Sequence, residues 1–387
     1  MISVQDALDQ ILSNVSETCA EQVALPNALG RVLAEDILAR LTQPRTDVSS
    51  MDGYAVKAGD TPDLNVIGES PAGGCYDGEV LAGQAVRIFT GAPVPSGANA
   101  VVMQENTTRD GDQVTINEPV SSGNFVRPAG LDFKTDEVLI KAGRTLTARD
   151  LGLAAAANVP WVLVRRKPRI AIIATGDEVV MPGDPLGPNQ IVSSNSVMLS
   201  AYVKSLGAEV LDLGIARDDE ASLTRLMKSA SQADMLVTIG GASVGDYDLV
   251  NQVLGNEGVD LGFYKVAMRP GKPLIFGKLH GTPVLGLPGN PVSVGVTGAV
   301  FLQPVLKAML GQDTAAHIQD AVLGTDIKVN DVRQDYLRAV LKGNVASPFS
   351  KQDSSMLARF ADANCLIIRA PFADAAKAGD AIKVLML

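Results

Sequence analysis

The sequence predicts a multi-domain α/β protein whose central domain is a three-layer unit, a mostly parallel sheet covered by helices on both faces. Two observations carry that prediction. From about Lys167 to Gly311, short apolar runs alternate with helical periodicity, the order that requires parallel strands joined by crossover helices. Three of these runs, residues 170–174, 210–215 and 235–239, each lead into a pair of carboxylates: Asp177 and Glu178, Asp218 and Asp219, Asp246 and Asp248. Ligands of open α/β sheets bind outside the carboxyl ends of the strands. Acids gathered there repel one another unless a cation or polar ligand offsets the charge. A single pair reads as an acidic loop, whereas three in succession mark a metal and phosphate crevice.

The remaining elements follow in chain order. Residues 1–12 form an amphipathic helix, without the basic and continuously apolar regions of a targeting segment. An extended strand is expected over residues 31–41. From Asp47 to about Val138 the texture becomes short alternating runs, at 85–89, 100–104 and 113–116, separated by Gly, Pro and Asn turns. Helical periodicity returns at residues 148–157. A discontinuous α+β amino-terminal domain, 1–47 and 139–166, is therefore expected to carry an inserted β domain at 48–138. The central domain, 167–312, supplies helices at 195–206, 219–232 and 248–255. Its last strands, 273–279 and 282–287, are joined by His280-Gly281, a two-residue hairpin connection. The apolar stretch 292–302 is shorter than the roughly 20 residues of a membrane span and reads as a buried helix. Residues 313–387 read as a small β-barrel or sandwich, with a turn at Ala378-Gly379-Asp380 before a terminal strand, 381–387.

Composition narrows the function. At 387 residues the chain exceeds what one core serves, and 46% hydrophobic content marks it as globular. A net charge of −10 argues against a general nucleic-acid or membrane-surface binder, though a local basic cluster can still hold an anion. Cys19, Cys75 and Cys365 are scattered and odd in number, which suggests neither a disulfide framework nor a zinc site and fits a reducing cytoplasm. His280 and His317 lie in separate segments, against a histidine-dependent triad or metal site.

Three loops carry the chemistry. Gly240-Gly241-Ala242-Ser243-Val244-Gly245 follows a strand and precedes a helix, but it is neither a Walker A motif nor a dinucleotide fingerprint. Viewed alone, it is explained equally well by a tight turn needing positive φ and by phosphate binding. Leu287-Pro288-Gly289-Asn290-Pro291-Val292-Ser293 is more specific. It places Asn290 at a helix N-cap and Pro291 at the first helical position, with N–H groups aimed at the acidic edge. Between them, Lys265, Arg269 and Lys272 put three cations around a Pro/Gly turn, suited to an oxyanion near a divalent metal. Hard oxygen ligands, cations and N–H loops together are the ingredients of magnesium-assisted phosphate chemistry.

These motifs resemble a known family, the molybdopterin molybdenumtransferases, which include the E domain of gephyrin. The resemblance rests on Ser50-Met51-Asp52-Gly53-Tyr54-Ala55-Val56, Thr90-Gly91-Ala92-Pro93-Val94-Pro95, Gly130-Leu131-Asp132, Thr175-Gly176-Asp177-Glu178, the run from Gly240 to Asp248, the turn from Lys265 to Pro273, and Gly286 to Ser293. They occur in family order over almost the whole chain. The resemblance implies a central molybdopterin-binding domain, a carboxy-terminal β-barrel and a homodimer whose clefts combine one subunit's central domain with amino-terminal parts of the other. It implies insertion of molybdenum from molybdate into adenylylated molybdopterin, with magnesium as cofactor and AMP released. Partners would include the molybdopterin adenylyltransferase and recipient molybdoenzymes.

Carried onto this sequence, the resemblance makes Glu178, Asp218 and Asp248 the magnesium ligands and Asp132, Asp218, Asp248, Lys265, Arg269 and Lys272 the catalytic set. Asp52, Thr90, Thr175, Gly240, Gly241, Ser243, Asp246, Pro288, Asn290 and Pro291 would contact or shape the substrate site. Two positions depart from the common pattern: Ser193 stands where many relatives carry an acid, and Arg269 where some carry lysine. A planar guanidinium fork is not a point charge, so the second changes geometry while keeping charge. Two other functions compete: a related enzyme that adenylylates molybdopterin or cleaves another pyrophosphate on the same fold, and a gephyrin-like scaffold. AMP release from adenylylated pterin separates catalysis from scaffolding.

Overall fold

The structure, a computed structural model, describes residues 1–240 and 260–387. The expected helix at 248–255 lies outside them. The chain forms two compact units, one made of Met1–Glu21, Gly30–Ala34 and Arg165–Leu387, the other of Gln22–Leu29 and Glu35–Val164.

The first element, α1 (Val4–Leu12), is capped by Ser3, whose Oγ accepts the Asp6 N–H at 3.0 Å. Its buried face, Val4, Ala7 and Ile11, joins the same core as Phe263, Phe276 and Met309 of the central region. The sequence assigns this helix to the amino-terminal domain; its apolar stripe instead completes the core of the first unit. The expected strand over 31–41 shrinks to Ile37–Leu38.

The second unit is built on a six-stranded sheet: β1 (Gly53–Val56), β2 (Asp63–Ser70), β3 (Gln84–Ile88), β4 (Ala100–Met103), β5 (Thr107–Asp110) and β6 (Gln113–Ile116), in spatial order β4-β1-β3-β2-β6-β5. Alternation along β1 sends Tyr54 and Val56 into one core and Ala55 into another, so both faces are covered. Helix α2 (Ala148–Ala156) follows, with Thr147 and Asp150 forming a reciprocal capping box.

In the first unit, β7 (Arg169–Thr175), β8 (Glu209–Ala216), β9 (Met235–Ile239), β10 (Asp260–Lys265), β11 (Pro273–Leu279) and β12 (Thr282–Leu287) form one sheet in the order β8-β7-β9-β12-β11-β10. The first four strands in that order run parallel and the last two pair antiparallel, so the sheet is mixed. The hairpin at His280-Gly281 is present, with φ of +49° and +89°, the left-handed pair that a two-residue I′ turn requires. Helices α3 (Ser194–Ser205) and α4 (Glu220–Ser229) cover the sheet, and separate apolar cores form on its two faces.

The apolar stretch after β12 is longer than its sequence suggests. Helix α5 (Pro291–Thr297) passes through a π-helical turn, Gly298–Leu302, into α6 (Gln303–Met309). The wide turn immediately precedes Pro304, whose missing N–H removes one rung of the ladder. By length and composition this 19-residue helix could cross a membrane, yet 78% of its most apolar window is buried inside the protein. It is the core helix of the first unit.

The carboxy-terminal strands β13 (Ile318–Leu323), β14 (Gln334–Lys342), β15 (Val345–Pro348), β16 (Cys365–Arg369) and β17 (Ala381–Met386) close into a five-stranded barrel, because β14 pairs with both β15 and β16. The barrel reading of this region therefore holds, and the sandwich reading does not. The short helix α7 (Leu357–Ala361) lies before β16.

Gly53 shows how closely β1 and β4 approach. A Cβ at this position would lie 1.7 Å from the Val102 carbonyl oxygen, and a backbone atom within a sheet cannot yield. Gly53→Ala is expected to lower the unfolding free energy by about 2 kcal/mol or more. Urea denaturation followed by circular dichroism checks this.

Candidate active site

Parallel register brings the strand ends to one edge of the central sheet. Thr175 at the end of β7 stands beside Ala216 of β8; Ala174 stands beside Ile239 of β9, and Ile239 beside Leu287 of β12. The antiparallel pair does not break this convergence. Strand β10 is antiparallel to β11, and β11 to β12, so Lys265 at the end of β10 returns to the same edge, opposite Pro273 and next to Lys272.

The acidic side of this edge is tightly organised. The Asp218 N–H donates to Asp177 Oδ1 at 3.1 Å, and the Asp177 N–H donates to Asp218 Oδ2 at 3.4 Å. Each loop thus accepts the other's backbone, and two carboxylates are held close together. Partial burial is the first cause that raises the Asp218 carboxyl above its ordinary pKa, and the charges of Asp177 and Glu178 raise it further. Glu178 folds back over Gly176, where a Cβ would sit 2.7 Å from Oε2. Gly176 has φ of +132°, a conformation that favours glycine.

Asp219 has a different task. It caps α4, accepting the Ser222 N–H at 2.6 Å, so the second carboxylate of that pair belongs to the helix. Thr175 is also committed: its buried hydroxyl donates to the Ile239 carbonyl at 3.4 Å. It braces two strand ends rather than presenting a free hydroxyl.

The glycine loops meet in the middle. Gly240 has φ of +89°, and its N–H donates to the Leu287 carbonyl at 3.1 Å. A Cβ on Gly240 would crowd Thr175 at 3.0 Å, and one on Gly289 would come 3.8 Å from the Gly240 Cα. The rest of the first loop, with the expected site residues Gly241, Ser243, Asp246 and Asp248, lies outside the described residues. Asn290 does occupy the N-cap and Pro291 the first helical position, but Asn290 makes no side-chain capping bond. The Val292 N–H, expected to point to a ligand, is taken by the Ser354 carbonyl at 3.1 Å. Exposed Asn290 and buried Pro288 flank exposed Gly289.

Two contributors escaped the sequence reading. Asn195 donates from Nδ2 to the Gly289 carbonyl at 2.7 Å, while its buried Oδ1 has no partner among the described residues. Arg338, 1% exposed, holds the Asp353 carbonyl at 2.8 Å and so braces the segment that carries Ser354 to the head of α5; its Nε is also unpartnered. An arginine among the apolar residues Tyr336, Leu337, Ala339, Val340 and Leu341 is the signal that marks it.

Of the three cations, Lys265 is half-buried, with Nζ 5.1 Å from the Tyr264 ring centroid, and Lys272 is exposed. Arg269 is paired with Asp331, Asp335 and Asn330 of the barrel region, so it is not the free cation that the sequence suggests.

The expected amino-terminal site residues lie in the second unit. Asp52 Oδ1 accepts both the N–H and the hydroxyl of Thr90, each at 2.7 Å, and these bonds lower its pKa. They tie two turn motifs together. Asp132 is exposed, and its N–H donates to the Gln43 carbonyl at 3.0 Å.

Asp177, Glu178 and Asp218 are the acids of this edge, and a cation beside them would offset the charge that adds to burial in raising Asp218. Among the described residues no group of three or more His, Cys, Asp or Glu side chains is placed to hold a metal ion. Magnesium needs no such group, since it uses one or two carboxylates and completes its shell with water and phosphate.

This architecture defines a class: multi-domain proteins built around a molybdopterin-binding α/β domain. Three family models match in succession, "MoeA N-terminal region (domain I and II)" over residues 2–158, "Probable molybdopterin binding domain" over 171–308 and "MoeA C-terminal region (domain IV)" over 320–387. A molybdopterin molybdenumtransferase of Haemophilus influenzae is 36% identical, with 93% of each chain covered. One from a Nostoc species is 40% identical over 80% of this chain and 75% of its own. A molybdopterin biosynthesis MoeA protein of Pyrococcus horikoshii superposes with a TM-score of 0.90 at 32% identity, covering 100% of this chain and 99% of its own. The chain belongs to the molybdopterin molybdenumtransferase family and is an enzyme of molybdenum cofactor biosynthesis.

The Asp218 geometry has a measurable consequence. A raised folded-state pKa means that the folded protein holds this proton more tightly than the unfolded chain does, so ionised Asp218 weakens the fold and the penalty lifts as pH falls. Without divalent cations, Asp218→Asn is expected to melt above the wild type at neutral pH. The gap should close in acid, where the wild-type carboxyl is protonated. Thermal melts across pH check both.

Proposed function

We propose that this enzyme inserts molybdenum from molybdate into adenylylated molybdopterin in a magnesium-dependent reaction that cleaves the phosphoanhydride and releases AMP. One observation carries the reading: the Asp177/Asp218 pair and Glu178 share a sheet edge with Lys265 and Lys272, around two glycine loops that approach each other closely. Acids and cations along one sheet edge suit a polyphosphate substrate that brings its own metal. The names of the relatives concern the same pterin and metal.

Glu178 and Asp218, with Asp248, would hold magnesium, whose charge neutralises phosphate oxygens. The chain's own groups do the rest. Lys265 and Lys272 attract molybdate or phosphate and stabilise negative charge on departing AMP. Gly240 and Gly289 let the two loops close on Thr175 and on each other without a Cβ in the way, and Asn195 fixes the second of these loops. Molybdenum takes its sulfur ligands from the pterin dithiolene, so free and separated Cys19, Cys75 and Cys365 are no obstacle. Free thiols also suit a reducing cytoplasm.

The family resemblance further supports a homodimer in which Asp52, Thr90 and Asp132 serve the cleft of the other subunit. Thr90 keeps Asp52 ionised, a charge fit to orient water or a metal-bound group. Adenylylation of molybdopterin and scaffolding are outcomes of the test rather than rival conclusions.

Purified protein with adenylylated molybdopterin, molybdate and magnesium is expected to release AMP and finished cofactor. Chelation of magnesium should abolish that release. Lys272→Ala should raise the molybdate concentration needed for half-maximal rate by roughly tenfold, the size of one lost charge-assisted contact. AMP formation that ignores molybdate, or none with all components present, would overturn the assignment.

A further inference from the structure

The turn between Lys265 and Lys272 carries three cations, and the structure fastens the middle one to the barrel. Arg269 Nη1 donates to Asp331 Oδ2 at 3.1 Å. Nη2 forms an ion pair with Asp335 Oδ2 and reaches Asn330 Oδ1 at 3.3 Å. The two acceptors that matter most are themselves fixed. Asp335 is only 4% exposed, and its second oxygen has no partner among the described residues. Asn330, 7% exposed, donates from Nδ2 to the carbonyls of Arg333 and Ala370, both at 2.8 Å.

Backbone pairing acts in the same direction. Met268 and Arg269 form a two-residue strand parallel to Gln334 and Asp335, and the Gln334 N–H donates to the Ala267 carbonyl at 2.9 Å. The Val266 N–H donates to the Lys272 carbonyl at 3.2 Å, closing the turn at its feet. Lys265 and Lys272 therefore stand at the base of a short arch whose apex is gripped by Asp335. Burying a carboxylate with one unsatisfied oxygen is unfavourable. A barrel-stabilising role alone does not require that carboxylate to hold an arginine from the substrate edge.

We propose that Asp335, aided by Asn330, is a positioning residue: through Arg269 it sets the direction from which Lys272 meets the oxyanion substrate. The proposal rests on the transferase reading above. It also gives the departure at Arg269 a reason. A guanidinium fork can grip Asp335 and Asp331 at once, whereas an ammonium cannot do so in the same plane.

The test uses the full-length protein and two variants, Asp335→Asn and Arg269→Lys. In Asp335→Asn, hydrogen exchange by mass spectrometry should speed up over residues 265–274 and stay unchanged in the barrel strands Ile318–Leu323 and Ala381–Met386. The KM for molybdate should rise about tenfold, the weight of one charge-assisted contact, with kcat held within about twofold. Arg269→Lys, which keeps the charge and perturbs the barrel less, should shift both measurements in the same direction by a smaller amount. Unchanged exchange in both variants overturns the proposal, and so does faster exchange with an unchanged KM. If the wild type releases no AMP, the transferase reading falls. Equilibrium dialysis of molybdate then decides the positioning role separately: weaker binding by Asp335→Asn supports it and equal binding overturns it.

Discussion

Parallel pairing of β7, β8, β9 and β12, with one register shift between β7 and β8, is the constraint on which the site depends. Successive strands that start and stop at the same height deliver their loops to one edge, whatever those loops contain. Burial enforces the register. Every residue of β7 after Arg169 is buried, and apolar cores sit on both faces of the sheet, so a slip by one residue would move each side chain into the wrong core. The antiparallel hairpin adds a second use of the same edge by returning Lys265 to it.

Charge at that edge is arranged by the backbone as much as by side chains. Asp177 and Asp218 each accept the other's N–H, which holds two like charges together, and burial first and those charges second raise the pKa of Asp218. Neighbouring charges are drawn away into structure: Asp219 into a helix cap, and Arg269 into an ion pair with the barrel. The acidic pole is thus left with unmet demand for a cation, while the basic pole consists of two lysines at the foot of a braced turn.

Much of this was legible in residue pattern. The strands Met235–Ile239, Pro273–Leu279 and Thr282–Leu287 stand where apolar runs and turn residues place them, because a buried strand must be apolar and a tight hairpin must have positive φ. Strand β10 was harder to see: Gly262 interrupts it and its pairing with β11 shifts register twice, so the usual alternation is blurred. Helix α1 was visible, but not the core it joins, since an amphipathic stripe says that a face is buried without saying against what. The bonds that commit Thr175 and Asp219 were hidden for a similar reason. A hydroxyl or carboxylate beside a ligand edge looks the same in sequence whether it faces the ligand or holds a strand or helix end.

By itself, the sequence determined the fold class, the acids and glycines that follow its central strands, and the family, because these follow from local chemistry and motif order. Only the tertiary structure decided which charges are free. Asp335 and Arg269 are separated by 66 residues, Asn195 and Gly289 by 94, and no local pattern links either pair. Hydrogen bonds between such distant groups depend on how strands and loops are brought together in space, and that arrangement separates the charges facing a substrate from those holding the protein in shape.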